Sequence, residues 1–305
     1  MAQARIVTQG LEAAGHSTEI VGITTRGDRL RDRSIASIGG DGVFVKELMA
    51  SLMDGRADVA VHSMKDLPTD LPDELCAGAI LEREDARDVL VSRANAYPAL
   101  AALPHGAVVG TSSLRRKALL AIARPDAASR DLRGNVDTRI RKVLDGGYDA
   151  AILALAGLKR IGLLASVGGG SPLSFEEMLP ATGQGAIYAQ CRGDDREARA
   201  ALAPLNHPPT ALATAMERAV LKRLGGGCLV PVGIHAQVDE TAWRIDALIA
   251  AADGKAWVRR GAHGKRASDA EAILAAQSVA DELLASGGRA LVEQFRITVT
   301  NAKET

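Results

Sequence analysis

Aromatic residues are scarce, at 3% of the 305-residue chain against 47% hydrophobic residues in all. That scarcity argues against a surface that stacks bases on rings, so no single-stranded nucleic acid partner is expected. An excess of either charge is also missing, because Lys plus Arg and Asp plus Glu number 37 each. Neutrality excludes a general polyanion binder while leaving room for local arginine clusters. No apolar run reaches the ~18 residues of a membrane span, and no membrane partner is expected. Cysteine is limited to Cys76, Cys191 and Cys228, odd in number, without CxxC spacing and with no secretory segment before them. Such usage reads as a reduced, cytoplasmic protein. The histidines show neither HxH nor HExxH spacing, so no metal site is expected.

What is present is alternation of apolar and polar segments. The stretch Asp58 to Pro68 is an apolar strand that ends abruptly in Ser63, Lys65 and Asp66. Polar residues just past the carboxyl end of a buried strand line the crevice of an α/β sheet. A carboxylate there can move protons or stabilise a developing cation, and the neighbouring ammonium can hold an anion. Charged turns are also ordinary, and a solvated turn closed by Pro68 is the competing reading.

Val45, Leu48, Met49, Leu52 and Met53 follow helical spacing ahead of this strand. The pattern recurs as strand 107–110, helix 114–123, strand 129–132, helix 136–144 and strand 149–153, which implies a doubly wound second domain. The charge-rich segment 82–87 reads as a linker between lobes, and Gly183-Gln184-Gly185 followed by 186–191 as a second crossing. Alternation at Ile234, Ala236 and Val238 and at Trp243, Ile245 and Ala247 marks an antiparallel meander. A capping box, Ser268 with Glu271, then opens a last helix. Three domains are expected: residues 1–84 with 186–204, residues 85–185, and residues 205–305.

Two strand ends carry anion chemistry. Thr111, Ser112, Ser113, Arg115 and Arg116 open one helix, and Arg133, Gly134, Asn135 and Arg139 surround the start of the next. Free backbone N–H groups, hydroxyls and guanidinium groups converge there. Arginine is disfavoured by the dipole at a helix N-terminus unless an anion is present, which favours a ligand over a surface ion pair. Lys159 and Arg160 add a third basic point. Cys228 follows Gly225-Gly226-Gly227 at a helix C-terminus, where the partly negative dipole disfavours a thiolate nucleophile. An attachment point suits it better, and a small buried residue beside a glycine cap stays open as the alternative. Cys76 and Cys191 lie in or beside apolar runs and read as core residues.

The motifs VHSMKDLP (61–68), TSSLRR (111–116), LRGNVDTR (132–139), LAGLKRIG (155–162), GQGA (183–186) and GGGC (225–228) are collinear. With TRGD (25–28) and FVKE (44–47), they resemble the hydroxymethylbilane synthase, or porphobilinogen deaminase, family over nearly the whole chain. The resemblance implies two periplasmic-binding-protein-like doubly wound α/β lobes and a small α+β C-terminal domain with a three-stranded antiparallel sheet. It implies a transferase of tetrapyrrole, porphyrin and haem biosynthesis. The family condenses four porphobilinogen molecules head to tail on a covalent dipyrromethane primer, releasing ammonia at each step, and water then frees hydroxymethylbilane. By motif, Asp66 is the catalytic carboxylate and Cys228 carries the dipyrromethane through a thioether. Lys65, Thr111, Ser112, Ser113, Arg115, Arg116, Arg133 and Gly134 fall on cofactor-binding positions, and Ser63, Arg139, Arg160 and Gln184 on substrate-binding ones. A monomer is the family expectation.

The chain departs from the family pattern in two places. Family members begin with a strand and an R-x-S-x-L-A-x-x-Q stretch, whereas Met1 here falls inside the helix that follows. A first strand missing from its sheet would leave ladder groups unpaired, and the expectation is a poorly stable, weakly active or inactive form. Asp41 stands where a lysine is common. Two competing readings are such a truncated form and a two-lobed carboxylate receptor or sensor. Cys228 separates the receptor or sensor from the enzyme, since a receptor has no use for a thiol on a triple-glycine loop.

Overall fold

The computed structural model describes residues 1–23, 45–225 and 230–295. Cys228, Asp41, the TRGD segment and Phe44 lie outside the described residues. The elements follow in chain order as α1 (Ala2–Ala13), α2 (Lys46–Met53), β1 (Ala60–Ser63), β2 (Leu75–Ile80), β3 (Asp88–Ser92), β4 (Val108–Gly110), α3 (Leu114–Ala123) and β5 (Ala128–Arg130). They continue with α4 (Val136–Leu144), β6 (Ala150–Ala154), α5 (Leu155–Arg160), β7 (Ser171–Pro172), β8 (Ile187–Arg192), α6 (Arg196–Leu202) and α7 (Pro208–Arg223). Strands β9 (Val232–Val238), β10 (Ala242–Ala250) and β11 (Trp257–Lys265) and helix α8 (Asp269–Leu283) complete the chain.

The fold is mixed α/β, with a separate antiparallel sheet near its C-terminus. Helix starts are set by local chemistry. Ser113 Oγ accepts from the Arg116 N–H to cap α3, Asn135 Oδ1 from the Thr138 N–H to cap α4, and Ser268 Oγ from the Glu271 N–H to cap α8. Each side chain satisfies a donor that the helix itself cannot.

In the first sheet, β8 lies between β1 and β2 and is antiparallel to both. The strand that delivers Lys65 and Asp66 is thus paired with a return strand from far along the chain, within an antiparallel rather than a parallel arrangement. Met49, Leu52, Ala60 and Tyr188 pack on one face of this sheet, and Val7, Leu11, Ile187, Ala189 and Leu202 on the other.

The second sheet has the order β5-β4-β6-β3-β7, with β4 parallel to β5 and β6, and β3 antiparallel to β6 and β7. Alternate residues of β3 enter two cores. Leu90 packs with Leu119 and Ile152, and Val89 and Val91 pack with Ile140 and Leu153. A strand covered on both faces reads as a continuous apolar run, as DVLVS does after its first residue. Leu248 and Ala250 of β10 join the first of these cores, which seats the antiparallel sheet against the second lobe. The other face of that sheet packs on α7 and α8 through Met216, Val220, Ala276 and Leu283.

Two crossings join the lobes side by side: the Leu81 N–H donates to the Ile187 carbonyl and the Glu84 N–H to the Gly185 carbonyl, both at 3.1 Å. Gly185 has a φ of +91°, and a Cβ there would lie 2.3 Å from the Glu84 oxygen, so only glycine allows the two chains to run so close.

Candidate active site

Beyond β1 the chain turns through one short 3-10 segment, Met64–Asp66, and the buried Met64 side chain anchors it while Lys65 and Asp66 face outward. They line a cleft of about 320 Å³ together with His62 and Ser63 from the first lobe, Gly157 and Arg160 from the second, and Gln184 from a crossing. The sequence-predicted residues Ser63, Lys65, Asp66, Arg160 and Gln184 therefore meet at one place. They come from β1, from α5 and from the crossing before β8.

Asp66 keeps an open face to solvent, yet it stands deep among neighbouring atoms. That crowding raises its carboxyl above the ordinary range, and the adjacent Lys65 opposes the rise. Lys65 is lowered, first by the same desolvation; Asp66 pulls it back up, and Arg116 and Arg115 push it down. The guanidinium pair of the second lobe is thus within electrostatic reach of the strand end that carries Lys65 and Asp66.

That pair is engaged more deeply than the sequence implies. Arg115 Nη1 donates to Asp88 Oδ2 at 2.8 Å and to the Leu179 carbonyl at 2.7 Å. Arg116 donates to Asp88 Oδ1 through Nε at 3.1 Å and Nη2 at 2.7 Å, and to the Ile152 carbonyl through Nη1 at 3.0 Å. Both arginines are buried, and Asp88 is fully so. Burial alone would raise the Asp88 carboxyl, but the two guanidinium groups overcome it and hold the group well below the usual carboxylate range. Both arginines thus divide their donors between Asp88 and backbone carbonyls; Arg115 Nε is left without a hydrogen-bond partner among the described residues.

The neighbouring positions vary in their freedom. Thr111 is buried and its Oγ1 accepts from the Ser113 N–H. Ser112 Oγ bridges the N–H and carbonyl of Leu132, which binds the two anion loops to each other. Arg133 pairs with Asp131 on an open surface at 2.9 Å. Arg139 Nε donates to the Gly134 carbonyl at 2.8 Å, and burial followed by repulsion from Arg116 lowers its pKa. Gly134 holds a φ of +113° with Thr138 beside it, a conformation that suits a residue without Cβ. Arg160 Nη2 donates to the Gly185 carbonyl at 2.5 Å, tying α5 to the crossing. Gln184 is buried and donates through Nε2 to the Ala86 carbonyl at 2.7 Å and to Asp88 Oδ1 at 2.9 Å. Its amide thereby positions the crossing over the Asp88 triplet.

Two residues of the site escaped sequence reasoning. Asp88 sits at the edge of the charged linker, where its acidity looked unremarkable. The usable signal was an acid opening a fully buried strand, which requires a cation. His62 is buried in the cleft wall, with Nε2 in hydrogen-bond contact with Gln190 Oε1 at 3.1 Å. Burial lowers its pKa to about 4, against the pull of that bond, and the ring stays neutral at ordinary pH.

Two family models match the chain: "Porphobilinogen deaminase, dipyromethane cofactor binding domain" over residues 1–200 and "Porphobilinogen deaminase, C-terminal domain" over residues 211–285. A curated porphobilinogen deaminase of Chromobacterium violaceum is 49% identical over 276 residues, covering 90% of this chain and 87% of that protein. Among solved structures, the VFT2 domain of Bordetella pertussis BvgS is similar at a TM-score of 0.40 and 20% identity, covering 66% of this chain and 76% of that one. The substrate-binding protein AbpA of Streptococcus pneumoniae, bound to L-arginine, reaches a TM-score of 0.36 at 13% identity, covering 73% and 78%. Both structural likenesses are too distant to bear on function.

Proposed function

The chain belongs to the porphobilinogen deaminase family, and from that membership we propose that it is a hydroxymethylbilane synthase, a transferase of tetrapyrrole biosynthesis. It joins four porphobilinogen molecules head to tail and releases the product to water. The observation that carries the reading is the strand end itself: a carboxylate raised by desolvation, beside an ammonium, in a cleft faced by Arg160 of the opposite lobe.

Loss of ammonia leaves positive charge on a pyrrole. Asp66 is placed to stabilise that charge, and its raised basicity suits it to accept the proton that the coupled product must shed. Lys65 keeps Asp66 ionised and offers its ammonium to a substrate carboxylate. Arg160 and Arg139 attract the same acidic side chains from the second lobe. Neutral His62 and Ser63 complete the wall with hydrogen-bonding groups that compete for no charge.

The residues present fit the dipyrromethane group of the family description. Arg115 Nε is a buried donor without a partner among the described residues, and Lys65, Arg133 and Arg139 add cationic donors suited to a group rich in carboxylates. Ser112, Ser113, Thr111 and Gly134 shape the same loops, and Cys228 is the residue to which the group attaches. When bound, it supplies the primer to which each new pyrrole is added. Arg116, with its donors committed to Asp88 and Ile152, acts by fixing Asp88, which in turn pairs with Arg115, and by its field.

The domain division accompanies this reading, with residues 1–84 and 186–204 forming the catalytic lobe, 85–185 the arginine-rich lobe and 205–305 the attachment domain. We place the protein in the cytoplasm as a monomer. Steady-state ammonia release and product formation test the proposal. Asp66→Asn is expected to reduce kcat by about 10²–10³-fold with the fold intact; near-normal turnover would remove Asp66 from the chemistry.

A further inference from the structure

The two cysteines outside the attachment loop lie far apart in sequence and face each other in space. Cys76 of β2 and Cys191 of β8 are direct partners in the antiparallel register, with their Sγ atoms 3.8 Å apart. Directly opposed residues of antiparallel strands have Cα atoms about 4.5–5.5 Å apart. A disulfide accepts about 4.4–6.8 Å between Cα atoms and about 2.05 Å between sulfurs. The backbone is therefore already in range, and rotation about χ1 has to close the remaining gap.

Their surroundings differ. Cys191 is fully buried beside Ile187, Ala189 and Leu202, whereas Cys76 keeps part of its surface in contact with solvent. Gly78, at a register shift between Ala77 and Ala79, leaves Cys191 Sγ room: a Cβ there would lie 3.1 Å from it. Bulges of this kind add local twist, which gives the flanking side chains freedom to reorient. Two inert core thiols would need neither the shared register nor the one-sided access.

We propose that Cys76 and Cys191 are a thiol–disulfide modification site, oxidised by low-molecular-weight disulfides and independent of the Cys228 attachment. The Cys76 thiolate attacks one sulfur of the small disulfide; that S–S bond breaks and a small thiolate leaves. Cys191 then loses its proton and attacks Cys76 Sγ; the mixed disulfide breaks and the second small thiolate leaves. Two protein thiols are oxidised by two electrons, one small disulfide is reduced to two thiols, and the two protons end on the released thiolates. Burial pushes the Cys191 thiol up to about 12, which makes the second attack the slow one and Cys76 the point of entry. The bridge ties β2 to β8, the strands that lead into and out of the lobe crossings.

The test incubates the folded full chain with oxidised glutathione, blocks the remaining thiols under denaturing conditions, and maps peptides by mass spectrometry. The expected result is a linked peptide pair containing Cys76 and Cys191, lighter by two hydrogens than the reduced pair, and restored to two free thiols by dithiothreitol. Cys191→Ala should stop at a glutathione adduct on Cys76, and Cys76→Ala should leave Cys191 unmodified until the protein is unfolded. A stable Cys76 adduct in the unsubstituted protein, a bridge that involves Cys228, or two thiols unchanged after prolonged incubation would each overturn the proposal.

Discussion

Asp88 is one carboxylate facing two guanidinium groups in a space closed to water. Removing one partner of such a cluster leaves uncompensated charge buried, at a cost of about 3–5 kcal/mol. Asp88→Asn is therefore expected to lower the unfolding free energy by that amount in urea titrations at neutral pH. Because the folded pKa of Asp88 is depressed, its contribution is complete above the unfolded value of about 3.9 and is lost as pH falls below it. The gap between the parent protein and the variant should hold constant from neutral pH to mildly acid pH and close only in stronger acid; a gap that closes nearer neutrality would contradict the assignment. Asp66 has the opposite shift. In the proposed chemistry its ionised form is the active one, and its pKa is raised, so kcat/KM should fall on the acid side at a higher pH than an ordinary carboxylate allows, and Asp66→Asn should flatten that limb. The place of Asp66 just past a strand end was legible in the sequence, because the strand, the turn and the charge are contiguous. The partners of Asp88 were not, since they come from 27 and 28 residues away.

Among the elements, the helix starts were the most legible. Helix α8 begins where the capping box of Ser268 with Glu271 puts it, and α3 and α4 open at Ser113 and Asn135, since a cap is decided within three residues. The place of β8 between β1 and β2 was not, because register across more than a hundred residues is fixed by packing of the whole lobe. The same distance hid the joint between α7 and the crossings. Glu217 of α7 is fully buried and accepts from Arg83 Nη1 at 2.6 Å, from the Gly183 N–H at 2.6 Å and from the Ala236 N–H at 2.8 Å, while His235 Nδ1 lies 3.5 Å away. One carboxylate thus clasps both crossings and the antiparallel sheet. Burial would raise its pKa, but Arg83 and His235 bring it down to about 2. A double-mutant cycle of Glu217→Gln with Arg83→Gln should give a coupling energy of about 1–3 kcal/mol. The stabilisation should be full above the ordinary glutamate value and fade as pH falls from there towards 2. Additive single effects would show that the clasp is not a unit.

At the scale of the whole molecule, charge and chemistry are concentrated at the facing edges of two lobes. The net charge of zero conceals this, because the cations of the cleft are balanced by acids elsewhere. The first lobe contributes Lys65 and Asp66, the second contributes cations held by a buried acid, and the C-terminal sheet packs against the second lobe's core. This division of labour explains why six separate motifs were needed to read one site. It also makes a specific demand on a covalent primer at Cys228. Intact-mass spectrometry of the purified chain, before and after brief incubation with porphobilinogen, tests that demand most directly. The account predicts a dipyrromethane adduct that is absent from Cys228→Ser, followed by stepwise pyrrole additions that Asp66→Asn arrests. An unmodified chain from a porphobilinogen-replete host, or an adduct that survives Cys228→Ser, would contradict it.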